Sequence, residues 1–151
     1  MENKNKGYFG IGIINPKRET NVGTLWRSAN ILDASFIFII GKRIKKQYSD
    51  TLNTPDSIPI YHYDTFEQFY ENMPKDCPLI GIELDGKSVA IETYTHFERC
   101  IYLLGAEDNG IPASVRAKCV NLVQLPKGNY NVAMSGTIIM YDRHYKNINK
   151  I

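Results

Sequence analysis

Short apolar runs alternate along this chain with segments whose apolar residues recur every three or four positions, and that alternation narrows the folds open to it. Phe36 to Ile40 is apolar throughout, too short for a helix and ended by Gly41, as expected of a strand buried on both faces. Tyr8 to Ile14, Ile60 to Tyr63, Pro78 to Glu83, Cys100 to Leu104 and Asn121 to Leu125 read as further strands. Gly10 and Gly12 in the first of these mark positions where another backbone comes close. Val22, Leu25, Trp26, Ala29 and Leu32 repeat at helical spacing behind a candidate Asn21 cap. Thr65 to Asn72 places Phe66, Phe69 and Tyr70 on one helical face, and Pro112 to Lys118 begins a helix with proline in its first turn. Val132, Ser135, Ile139, Met140 and Tyr145 form a closing helix with Asn131 as cap. Residues 42–58 are polar and without period, a long loop with a helical turn. The pattern predicts an α/β domain, a mostly parallel sheet with helices on both faces.

At 151 residues the chain suffices for one domain, 1–151, and is short for two. Its composition, 43% hydrophobic and 23% charged, is that of a globular protein, with no apolar run near the roughly 20 residues that span a bilayer. Residues 1–6 lack an apolar signal-peptide core, and Cys77, Cys100 and Cys119 are isolated and odd in number. A cytoplasmic protein with reduced thiols is expected, with no membrane partner. His62, His96 and His144 are equally scattered, so no metal site is expected, and the cysteines read as small core residues.

The loops carry the functional signal. Gly105 to Gly110 and Leu125 to Val132 each follow an apolar strand and lead into a helix. Loops leaving the carboxyl ends of neighbouring strands are where open α/β sheets bind small ligands, so the two are expected side by side at one site. The glycine spacing of Gly105 and Gly110 resembles a nucleotide loop, but no Lys-Ser/Thr follows, and no Gly-x-Gly-x-x-Gly occurs after a strand. NTPase and dehydrogenase chemistry are therefore disfavoured. Arg27 falls in or just after the first turn of the first helix, where a cation is unfavourable unless an anion also visits. A phosphate would resolve that conflict; pairing with Glu19 or exposure to solvent is the plainer alternative. Glu107 either orients a ligand or accepts backbone N–H bonds, and Asn131 either holds the loop or caps the last helix.

Net charge is only +2, but the cations cluster: Lys17 and Arg18 in the first loop, Lys42, Arg43, Lys45 and Lys46 after the second strand, and Arg143, Lys146 and Lys150 near the end. Such clusters can neutralise phosphates or form a solvated face.

Taken together, three segments resemble the motifs of the SPOUT class of S-adenosylmethionine-dependent RNA methyltransferases, in its TrmH-like ribose 2′-O branch. They are Asn15-Pro16 with Asn21 to Ala29, Leu104 to Pro112, and Leu125-Pro126 with Asn129 to Ala133. The resemblance implies a trefoil knot made by the C-terminal segment, a homodimer with its sites near the subunit interface, and S-adenosyl-L-methionine as cofactor. It implies cofactor-binding positions at Ile82, Gly105, Glu107, Gly110, Leu125, Asn129 and Tyr130. Arg27, Glu107, Asn129 and Asn131 would serve the reaction, and Lys17, Arg18, Arg27, Lys42, Arg43, Lys45 and Lys46 would face RNA. No separate RNA-binding domain is evident, which favours a compact tRNA element over a large rRNA region. The expected reaction is in-line methyl transfer to a ribose 2′-hydroxyl, with Arg27 polarising the hydroxyl and holding a phosphate, since a guanidinium stays protonated. The chain departs from the family at Asn129, where serine is common. A knotted protein that binds RNA or cofactor without turnover, and an unknotted flavodoxin-like module, are the alternatives.

Overall fold

The computed structural model describes residues 7–44, 57–128 and 130–149. Its elements, in chain order, are β1 (Tyr8–Ile14), α1 (Glu19–Ile31), β2 (Phe36–Ile40), β3 (Ile60–Tyr63), α2 (Phe66–Asn72), β4 (Leu79–Ile82), β5 (Val89–Ala90), β6 (Arg99–Leu104), α3 (Ala113–Arg116), β7 (Asn121–Gln124) and α4 (Val132–Ile148). The seven strands form one sheet in the order β3-β2-β1-β6-β4-β7-β5, and every pairing is parallel. This is the α/β architecture expected from the alternation.

Side chains alternating along each strand feed two cores. Phe9, Ile11 and Ile13 of β1 join Tyr102 and Leu104 of β6 beneath Val22, Leu25, Trp26 and Ala29 of α1 and Val132, Ile139 and Met140 of α4. On the other face Phe38 and Ile40 of β2, Ile101 and Leu103 of β6, Phe69 of α2 and Val115 of α3 form the second core. Gly10 and Gly12 pair in register with Phe36 and Phe38, whose rings fill the space a β-carbon would need. At Gly12 the Phe38 carbonyl oxygen comes as close as its ring, the near backbone the sequence led us to expect, whereas at Gly10 the close neighbour is the Phe36 ring alone.

Helix α1 starts three residues before the sequence reading placed it. Its N-cap is Arg18, which makes no side-chain capping bond. Asn21 lies inside the helix, buried, and is not its cap. Arg27 is therefore mid-helix, so the argument from the positive end of the helix dipole does not hold. Strand β5, two residues long, was not foreseen. Asn131 does cap α4, its Oδ1 accepting the Met134 N–H at 2.8 Å. Lys45, Lys46, Asn129 and Lys150, with the middle of the loop at 42–58, lie outside the described residues.

The far end of α4 is bolted to the sheet by polar contacts. Arg143, only 2% exposed, donates to the carbonyls of Phe97 and Glu98 at 2.7 Å each and to the Tyr102 hydroxyl at 3.1 Å, and lies over the Phe9 ring at 4.7 Å. His96 Nδ1 is 2.6 Å from that hydroxyl and His96 Nε2 is 2.7 Å from Asp142. Lys146 meets Asp142 at 2.8 Å and donates to the carbonyls of Ile91 and Tyr94. These bonds are mutually consistent with a neutral imidazole: Tyr102 accepts from Arg143 and donates to Nδ1, and Nε2–H donates to Asp142. Burial, reinforced by Arg143 and Lys146, holds His96 below its ordinary value despite Asp142. Arg143 and Lys146, which the sequence grouped in a cluster for phosphate or for a solvated face, instead anchor the helix.

Candidate functional site

A cleft of about 690 Å³ opens at the carboxyl ends of β4, β6 and β7. Strand ends reach it because all three run parallel, so their following loops emerge on one edge of the sheet. The loop after β6 is a tight corner: the Gly110 N–H donates to the Ala106 carbonyl at 2.9 Å, and these residues form an isolated bridge. Gly110 sits at φ 63°, a left-handed conformation that glycine adopts without strain. A β-carbon on Gly105 would collide with the backbone of Gly110 and Ile111. Both glycines are thus set by the corner itself.

Loops from distant parts of the chain are tied to this corner. Glu107 Oε1 accepts from the Asn21 side-chain amide, and its Oε2 accepts the Lys17 backbone N–H at 3.3 Å. Glu107 therefore joins the start of α1 to the cleft. Next to it, Arg43 bridges Asp108 at 3.0 Å and the Asn15 carbonyl at 3.1 Å. The Arg43 hydrogen bond holds the Asp108 carboxyl below its usual range. From the end of β4, Glu83 Oε2 accepts the Ile111 N–H of the same corner at 2.8 Å.

Six residues expected to hold a cofactor line this one cleft: Ile82, Gly105, Glu107, Gly110, Leu125 and Tyr130. The Tyr130 hydroxyl folds back onto the Pro126 carbonyl at 2.8 Å. Asn131 stands beside the cleft as the cap of α4, whose Val132 and Ser135 line it. Arg27 is exposed on α1 and does not line the cleft, and among the described residues nothing engages its guanidinium, Glu19 included. Lys17, Arg18 and Lys42 are exposed, while Arg43 is committed to Asp108. Glu83, Leu84, Gln124, Lys127 and Ser135 also line the cleft and were not singled out. Glu83 is legible in the sequence as the acidic residue that ends the apolar run from Pro78, at the ligand-binding edge. Asn21, which the sequence offers as a helix cap, instead ties α1 to Glu107.

The chemistry of the lining is apolar with a negative bias. Ile82, Leu84, Leu104, Leu125 and Val132 offer a surface for a flat or aliphatic group, and the charged side chains are Glu83, Glu107 and Lys127. Two carboxylates against one ammonium suit a ligand carrying positive charge better than a polyphosphate. Burial pushes the thiols of Cys77, Cys100 and Cys119 up, Cys119 to about 11, which keeps them protonated at neutral pH. Among the described residues no group of three or more His, Cys, Asp or Glu could hold a metal ion, and no helix is long and apolar enough to cross a membrane.

Comparison with known proteins gives the site a context. The model of the SpoU rRNA methylase family matches residues 9–141. Among solved structures, an AdoMet-bound rRNA methyltransferase from Sinorhizobium meliloti superposes with a TM-score of 0.80 at 19% identity, covering 93% of this chain and 57% of that one. The SpoU methyltransferase AviRb from Streptomyces viridochromogenes, in complex with AdoMet, gives 0.81 at 19% identity, covering 97% of this chain and 60% of that one. A protein solved for insight into the 2-OH methylation of C/U34 on tRNA gives 0.81 at 17% identity, covering 96% of this chain and 99% of that one. The chain thus spans less than two thirds of the first two and nearly all of the third. At these identities the likeness establishes a shared fold. No curated protein matches the chain in sequence.

Proposed function

The chain belongs to the SpoU rRNA methylase family, and from that premise we propose that it transfers a methyl group from S-adenosyl-L-methionine to a ribose 2′-hydroxyl of structured RNA. The observation that carries this reading is the cleft at the ends of β4, β6 and β7, which gathers two of the three motif loops, while Asn21 of the third is tied to its rim through Glu107. A tRNA element is the favoured substrate, because the chain resembles at nearly full length a protein solved for insight into the 2-OH methylation of C/U34 on tRNA. The proposal includes a cytoplasmic homodimer whose C-terminal segment threads a trefoil knot.

The lining fits the cofactor. Its apolar residues accept an adenine, and the carboxylates of Glu83 and Glu107 suit a sulfonium. Ile82, Gly105, Leu125 and Tyr130 would hold the group, with Gly110 shaping the corner. Glu107 supports the site by fixing α1 against it, and Asn131 by capping the helix that supplies Val132 and Ser135. When bound, S-adenosylmethionine supplies an electrophilic methyl, so attack by the hydroxyl forms the O–C bond as the S–C bond breaks to a neutral thioether.

Arg27 polarises the 2′-hydroxyl and holds the adjacent phosphate, which takes the proton, because the guanidinium remains charged. Catalysis then rests on alignment and on stabilising the charge that develops on oxygen. Since Arg27 does not line the cleft of its own chain, this role places the reaction at the boundary between subunits. Lys17, Arg18 and Lys42 extend a basic surface toward RNA, and Arg43 contributes while bound to Asp108.

Labelled S-adenosylmethionine incubated with undermodified RNA tests the proposal directly. Label is expected on ribose; label confined to bases contradicts the 2′-O assignment, and cofactor binding without transfer to any RNA favours a binding protein. Arg27→Ala is expected to abolish transfer while leaving cofactor affinity within about twofold, as for a group acting only on the reacting hydroxyl. An equal loss of both would remove Arg27 from that role.

A further inference from the structure

Glu83 connects three strands at the wall of the cleft. Its backbone N–H donates to Val123 of β7 at 3.0 Å, and its carbonyl accepts the Ser88 hydroxyl at 2.6 Å. Its side chain crosses to the corner after β6, taking the Ile111 N–H. A β-carbon on Gly110 would lie 2.8 Å from Oε2 and 3.2 Å from Oε1, so the carboxylate lies directly against that bare glycine. Ile111 is fully buried in the second core, and an unmet N–H there would be costly. Glu83 is therefore the buckle that closes the corner on β4.

Among the described residues no cation forms an ion pair with Glu83; Lys87, the basic residue nearest it in sequence, is exposed, and Lys127 shares the cleft lining. Arg116, the nearest basic residue in sequence to this corner, pairs with Asp85 at 3.1 Å and donates to the Ile111 carbonyl. Glu107, in the same corner, is already engaged by the Asn21 amide and the Lys17 backbone N–H. We infer that Glu83 is a specificity-determining residue of the cleft: it holds the Gly110–Ile111 corner in place, and its carboxylate, in the lining and bound in no ion pair among the described residues, favours a sulfonium ligand over the neutral thioether left after transfer. The inference rests on the proposed function for the identity of the ligand, and its buckle part stands on geometry alone. A site biased in this way binds the methylated cofactor and releases the demethylated product.

Calorimetric titration of the full chain with S-adenosylmethionine and with S-adenosylhomocysteine separates the two parts. Glu83→Gln keeps an acceptor for Ile111 and removes the charge. It is expected to weaken S-adenosylmethionine by about fivefold, from one charge lost at several ångströms in a partly solvated cleft, and to change S-adenosylhomocysteine by less than about twofold. Glu83→Ala removes the buckle as well, and is expected to weaken both ligands and to speed hydrogen exchange at the Ile111 amide. Equal effects of Glu83→Gln on the two ligands, or none, would overturn the charge role. Unchanged Ile111 exchange in Glu83→Ala would overturn the buckle. Failure of the unmutated protein to bind either ligand would instead bring down the proposed function and the charge role with it, while the exchange result would still decide the buckle.

Discussion

The two ends of α4 are built to opposite specifications. At its start, Asn131 supplies an exposed cap, and Val132 and Ser135 face a cleft whose other walls are loops tied by exposed or half-exposed polar bonds. Toward its end, Arg143, His96 and Tyr102 are buried, and Asp142 and Lys146 complete a chain of hydrogen bonds to the segment before β6. The buried end leaves little room for alternative arrangements, because the Arg143, His96 and Tyr102 side chains all have partners they would lose on moving. The cleft end is held by weaker contacts that a ligand can reinforce or replace. Rigidity is concentrated at the amino ends of the strands and adaptability at their carboxyl ends, one helix joining the two.

Arg143→Met offers the severest test of that contrast. It keeps an apolar stem over Phe9 but strips donors from the carbonyls of Phe97 and Glu98 and from Tyr102. Each buried acceptor left without its donor is expected to cost about 1–3 kcal/mol, read together as a fall in the urea midpoint at unchanged slope. Cofactor affinity of the protein that remains folded should stay near that of the unmutated chain. Lost affinity at unchanged stability would show that the buried end acts on the cleft directly.

The pH dependence of stability probes the same end more gently. His96 is held below its ordinary value of 6.5 chiefly by burial, so between the folded and unfolded values the unfolded chain binds the extra proton. Its contribution is therefore complete above about pH 6.5 and is lost as pH falls from there through the folded value, at no more than about 1.4 kcal/mol per pH unit. Thermal unfolding across that window should show the decline, and His96→Gln should flatten it. A decline that persists in His96→Gln would assign it to another group.

How far these regions could be read from the chain follows the same division. The strands were legible because Phe36 to Ile40 and Cys100 to Leu104 are apolar at every position, a pattern only a doubly covered strand satisfies. The cleft was legible because its loops leave neighbouring parallel strands, which fixes their edge of the sheet whatever their conformation. The start of α1 was not, because Glu19 and Thr20 are exposed and Arg18 caps without a side-chain bond. Asn21 carried the strongest capping signal in that stretch, yet its amide is spent on Glu107, a partner 86 residues away. That shift carried Arg27 from mid-helix to an apparent first turn. Arg143 is hard to read for a related reason: an arginine in a polar stretch with Asp142, His144 and Lys146 looks solvated until the carbonyls of Phe97 and Glu98 are known to converge on it.

Asn131 supplies the smallest and most discriminating perturbation at the cleft end. Its side chain caps α4 by accepting the Met134 N–H, and removing such a cap costs about 1 kcal/mol. Asn131→Ala is expected to lose that amount in chemical denaturation, whereas Asn131→Asp, with a carboxylate in the same place, should recover it, since aspartate caps as well as asparagine and favours the positive helix end. Methyl transfer should follow stability through this pair, falling modestly in the alanine variant and returning in the aspartate. An aspartate variant that regains stability but not transfer would mean that the amide nitrogen, which capping does not use, works on the substrate. The cleft end would then be chemically committed at a position where the contrast between the two ends of α4 makes it merely structural.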